Sequence, residues 1–100
     1  MLDELRSSDF LPYVNDLFRV QLAEDETYDL ELLEVKEVGP VYDEGERRRQ
    51  FSLLFRHKRT DVYLGQAMYT VQHAQMGELS LFVVPLGPGA DGMRYEVLFT

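Results

Sequence analysis

Two histidines, four serines and eighteen acidic residues are the side chains of this 100-residue sequence that could act as bases, nucleophiles or metal ligands. His73 is the better placed of the histidines. It continues the alternation of Tyr69 and Val71 close to a turn, and reads as an inward His held by hydrogen bonds in a structural role. His57 lies in the run Arg56-His57-Lys58-Arg59 and reads as a solvent-exposed residue at a strand end. Zinc takes three or four ligands, and the sequence has no cysteine and no histidine cluster, so no metal site is expected. Ser7, Ser8, Ser52 and Ser80 lack the flanking glycines of a nucleophile elbow. A hydrolase built on His73 with Ser80 or a carboxylate needs those groups within hydrogen-bond reach beside a pocket.

The remaining clusters are equally bland. Asp25, Glu26 and Asp29 have the chemistry for Ca²⁺ but not the spacing of an EF-hand loop, and read as a solvated hairpin tip. Gly87-Pro88-Gly89-Ala90-Asp91-Gly92 lacks the Lys and Ser/Thr that complete a phosphate cradle. It reads as a hairpin loop. Arg47, Arg48 and Arg49 alternate sides in an extended chain, so they form no single stripe for nucleic acid, and a net charge of −8 opposes phosphates. The expectation is a chain with no catalytic constellation and no cofactor. Neither nucleic acid nor membrane is expected as a partner.

The elements that carry these residues alternate with a period of two. Phe18, Val20 and Leu22 alternate with Arg19 and Gln21. A long second strand, Thr27 to Val38, begins with Tyr28, Leu30 and Leu32 on one face. It then changes phase to Leu33 and Val35, as a β-bulge would make it do. Further strands are expected at Gln50–Lys58, Ala67–Ala74, Glu78–Leu86 and Met93–Thr100. Residues 7–15, with Pro12 allowed only in a first turn, read as a short helix. About six antiparallel strands with turn signals between them give an all-β fold, a small barrel or sandwich, as one domain over residues 1–100. A closed six-stranded barrel is filled by its own side chains. The bent second strand favours the barrel.

Charge is segregated along the chain. Residues 1–46 sum to −11, residues 47–59 to +6, and residues 60–100 to −3. The Met1-Leu2-Asp3-Glu4-Leu5 start has no basic region of a secretory signal, and no apolar run is long enough for a membrane helix, so a cytoplasmic location is expected.

Several stretches carry a resemblance to a known family. They are the N-terminal Met1-Leu2-Asp3-Glu4-Leu5 with Asp9-Phe10, Phe18-Arg19-Val20, Phe51-Ser52-Leu53-Leu54-Phe55-Arg56, the segment from Gly77-Glu78-Leu79-Ser80-Leu81-Phe82-Val83-Val84 to Pro85-Leu86-Gly87-Pro88, and Gly92-Met93-Arg94-Tyr95-Glu96. With these the chain resembles the uncharacterised bacterial DUF6916 domain family. The resemblance implies a small stand-alone bacterial β domain that accompanies phage-tail-like genes. It carries no catalytic signature.

One pattern is not bland. On the phase opposite the core lie Leu54, Phe82, Val84, Leu86 and Leu98. Either the N-terminal turn covers them through Phe10, Leu11 and Val14, or they form an exposed patch of the kind that marks an interface. With Arg47, Arg48 and Arg49 beside it, that patch points to a protein-interaction or structural module, bound to a protein partner or to a second copy. The alternative is a small-ligand-binding barrel with Tyr69, His73 and Tyr95 lining its mouth.

Overall fold

The computed structural model describes residues 5–38 and 50–99. Six strands, β1 (Leu17–Ala23), β2 (Glu26–Glu37), β3 (Phe51–His57), β4 (Ala67–His73), β5 (Gly77–Gly89) and β6 (Gly92–Phe99), follow a helical turn α1 (Ser7–Phe10) and a 3₁₀ turn at Leu11–Tyr13. They form a closed antiparallel barrel in the order β1-β2-β3-β6-β5-β4, with β4 returning to β1. Closure, rather than two stacked sheets, decides between the barrel and the sandwich.

Two long bent strands make closure possible. The first part of β2, up to Glu31, pairs with β1, and the part from Glu31 onward pairs with β3. Between them the register slips at Leu33, because Leu32 faces Phe55 but Glu34 faces Leu54. An extra residue on one strand bends it and increases its twist. β5 repeats the device: Gly77–Val83 pair with β4, Val84–Gly89 pair with β6, and Leu86 is the extra residue. The expected six-residue loop at Gly87–Gly92 is shorter in fact. The strands run through Gly89 and resume at Gly92, leaving Ala90-Asp91 as the turn.

The barrel interior is packed by residues of all six strands. Phe18, Val20, Leu30, Leu32, Leu53, Phe55, Val71, Leu81, Val83 and Val97 are buried. Aromatic residues close both ends. Phe10 is fully buried against Phe18, Phe51 and Phe99, with ring centroids 5.5–6.4 Å apart. Toward the other end, Leu64 is buried and its backbone N–H donates to the Tyr95 hydroxyl at 2.9 Å.

Local chemistry shapes the N-terminal plug. The Arg6 N–H donates to the Asp9 carboxylate at 2.8 Å and satisfies one orphan donor of α1. Pro12 sits in the first turn of the 3₁₀ segment, the position that its missing N–H allows. Asn15, at φ +80°, then reverses the chain, a conformation that Asn tolerates better than most residues. Its N–H donates to the Leu32 carbonyl at 2.7 Å. The N-terminal turn therefore stoppers the barrel. Phe10 points inward and Val14 packs on the core, while Leu11 stays exposed. The apolar outer phase of β3, β5 and β6 is left to the surface.

Candidate interaction surface

The outer wall of the barrel has two kinds of face. On β1 and β2 several outward residues are charged and paired. Arg19 lies 3.6 Å from Asp29, and Glu31 bonds the Arg56 guanidinium of β3. Arg56 also approaches Asp91 at 3.8 Å, and Asp91 in turn holds Arg94 at 3.1 Å. The hydrogen bond from Arg94 holds the Asp91 carboxyl below its usual range, as the Arg59 hydrogen bond does for Asp61.

Across β3, β6, β5 and β4 the outward face is largely uncharged. Leu54 stands opposite Glu96, and Glu96 stands opposite Val84, so these three make one row across three strands. Ser52 faces Leu98, and Met68 faces Phe82. Phe82 is 44% exposed, Leu98 52% and Met68 55%. Leu54 and Val84 are half-buried between them. Leu86, at the bulge, is exposed. The strand pairing thus brings Leu54, Phe82, Val84 and Leu98 onto one face. Met68 belongs with them and was missed. Its outward position follows from alternation with the inward Val71 and His73 across one strand, a signal present in the sequence. Arg47, Arg48 and Arg49 lie outside the described residues. The basic residues at the far end of β3, Arg56 to Arg59, are spent in part on acids: Arg56 on Glu31 and Arg59 on Asp61.

The residues considered for chemistry are occupied elsewhere. The His73 ring is buried, and its Nδ1 accepts from the Gln75 and Met76 N–H groups at 3.1 and 3.2 Å. With that lone pair taken, Nε2 carries the hydrogen and donates to Asp16 at 2.9 Å. The ring clamps the turn after β4 and has no lone pair left for a general base. Ser80 faces outward opposite Thr70, on the other side of the sheet from His73. His57 is not the free strand-end residue expected. Its ring stacks on Tyr28 at 3.7 Å, and Nδ1–H donates to the Asp29 carbonyl at 2.7 Å. No group of three or more acidic or histidine side chains among the described residues could hold a metal ion.

Tyr69, His73 and Tyr95 form no common mouth. Tyr69 and His73 are four residues apart on one strand, about 13 Å, and the Tyr69 hydroxyl donates to the Gly65 carbonyl. The Tyr95 hydroxyl is committed to Tyr28 at 2.8 Å and to Leu64. Two depressions lie on the outer wall. One of about 150 Å³ is bounded by Leu17, Glu31, Arg56 and His57, and one of about 320 Å³ by Arg19, Gln72 and Ala74.

The Tyr28–Tyr95 pair carries a pH dependence. Burial first, and then the hydrogen bond with Tyr95, push the Tyr28 hydroxyl far above its ordinary value of 10.0. The folded chain therefore keeps the Tyr28 proton where the unfolded chain loses it. This stability is fully present below about pH 10 and is lost as the pH rises beyond it. The urea midpoint is expected to hold from pH 7 to 9 and to fall above pH 10, with a shallower fall for Tyr28→Phe. Equal slopes in the two proteins would refute the assignment.

The fold and surface define a small closed β barrel with a solid core, two stoppered ends and one apolar outer face. Residues 5–99 match the family described as a domain of unknown function, DUF6916, and the chain belongs to that family. No curated protein and no solved structure matches the chain. No helix among the described residues is long and apolar enough to cross a membrane.

Proposed function

We propose that this chain is a non-enzymatic protein-interaction or structural module that docks a protein through the outer face of β3, β6, β5 and β4. The observation that carries the reading is the exposure of Phe82, Leu98 and Met68 on a barrel whose core is already complete. Those side chains add nothing to the interior. A contiguous exposed apolar face on a small chain is a usual mark of an interface. Barrel closure adds to this. Most strands are paired on both sides and the β1–β4 seam is the short edge that remains, so a face is the larger surface open to a partner. The family resemblance adds a setting, a bacterial component that works beside a phage-tail-like system, and the lack of a basic secretory region at the start of the sequence adds a cytoplasmic location.

The test is a double substitution, Phe82→Ser with Leu98→Ser. The purified chain and the variant are used as bait for proteins of the native host, followed by mass spectrometry. The wild-type chain is expected to retain a partner that the variant loses. Thermal stability should change little, because surface substitutions of this kind shift it by about 0.5 kcal/mol or less. Equal capture by both baits would reject this face as the docking surface.

A further inference from the structure

We infer that the partner is a basic protein surface that sets a lysine or arginine on Glu96 among apolar side chains. This rests on the docking face proposed above and adds the chemistry of what it takes. Glu96 is half-buried at the centre of that face, with Leu54 on one side, Val84 on the other and Leu98 two residues along β6. No hydrogen bond or ion pair reaches its carboxylate among the described residues. The two cations nearest along the strands are already committed. Arg94 is held by Asp91, and Arg56 by Glu31 and Asp91. Among the described residues Glu96 is therefore a carboxylate without a counter-ion, flanked by Leu54, Val84 and Leu98, which a partner would cover.

Covering it without compensation is unfavourable, because a buried unpaired charge costs several kcal/mol while a hydrogen-bonded pair recovers most of that. The occupant must supply the cation. A second copy of this chain does not. Apposed about a two-fold axis, the two faces would bring two uncompensated carboxylates into one interface, and each copy carries −8. A basic partner also gains from steering by that charge. Apolar contact with Phe82, Leu98 and Met68 would supply affinity, and Glu96 would select which apolar surface fits.

The test uses the full chain and a random dodecapeptide library displayed on phage. Peptides are selected on the wild-type chain and counter-selected on Phe82→Ser, with Leu98→Ser as a second check that loss reflects the face and not folding. The retained peptides are expected to combine aromatic or aliphatic residues with Lys or Arg. Their affinity should fall about tenfold or more on Glu96→Gln. It should stay unchanged on Glu78→Gln, which alters a carboxylate on the same side of β5 beyond Ser80. Peptides lost on Phe82→Ser but indifferent to Glu96→Gln, or lacking basic residues, would overturn the basic partner while leaving the docking face intact. A library yielding no peptide that depends on Phe82 counts against both. A dimer in sedimentation equilibrium that Phe82→Ser dissolves would replace the basic partner with a second copy.

Discussion

Phe10→Ala is expected to lower the unfolding free energy by about 3–5 kcal/mol, the cost of emptying a buried aromatic site. Total stability for a domain of this size is about 5–15 kcal/mol, so the loss is a large share of it. The reason is geometric. Phe10 is fully buried and its ring touches Phe18, Phe51 and Phe99, residues of β1, β3 and β6. β3 and β6 pair directly there, Phe51 opposite Phe99 with their rings stacked at 4.5 Å, and the Phe10 ring ties that pair to Phe18 of β1. α1 has four residues and cannot hold itself as a helix. It exists because Phe10 is docked, assisted by the Ser7 hydroxyl on Glu37 at 2.9 Å. Removing the ring should therefore release the whole N-terminal turn, so that the hydrogen-bonded amides of Arg6, Asp9 and Leu11 lose exchange protection together. Leu11→Ala, one residue along and exposed, should cost about 0.5 kcal/mol or less. Urea unfolding of the two variants separates the outcomes. Similar midpoints for both would show that Phe10 is not the stopper.

The same residue marks a boundary of what could be read without coordinates. Apolar alternation states which side of a strand is buried, and it placed all six strands within a few residues of their observed ends. It also exposed the bulge at Leu33, because Leu32 and Leu33 are both apolar and a register slip was needed to keep the core face apolar. The second bulge at Leu86 left no such trace. Val83, Val84, Pro85 and Leu86 are apolar on both phases, and the glycines and prolines after them read as loop. Isolated residues such as Phe10 have no period, so their destination depended on barrel closure. The outer face followed the opposite course. Leu54, Phe82, Val84 and Leu98 stood out as violations of alternation, but their adjacency needed the strand order, which local pattern does not contain. The setting of Glu96 was invisible for the same reason. Its neighbours Leu54 and Val84 are 42 and 12 positions away in sequence and adjacent only across β6.

Among the described glycines Gly92→Ala should be the most damaging added methyl group, with a loss of about 2 kcal/mol or more. Two independent costs combine. Gly92 has φ +133°, where an L side chain is strained by about 1–3 kcal/mol. A Cβ there would also stand 2.2 Å from the His57 carbonyl oxygen and 3.1 Å from the Lys58 Cα. Both are backbone atoms of a strand end, so no side-chain rotation relieves the clash, and overpacking of this kind adds about 1–3 kcal/mol. Relief would require β6 to withdraw from β3 where Met93 pairs with His57. That movement would disturb the His57 stack on Tyr28 and the Arg56 contacts with Asp91. The turn formers from Gly87 to Gly92 read as a hairpin loop. The tighter constraint is tertiary, a close approach of two strands. Gly65→Ala provides the contrast, since nothing lies within 4 Å of a Cβ at that position and no left-handed φ is involved. It should be near neutral in thermal melting, whereas Gly92→Ala should melt many degrees lower. If the two variants melted alike, the close approach of Gly92 to His57 would have to be abandoned.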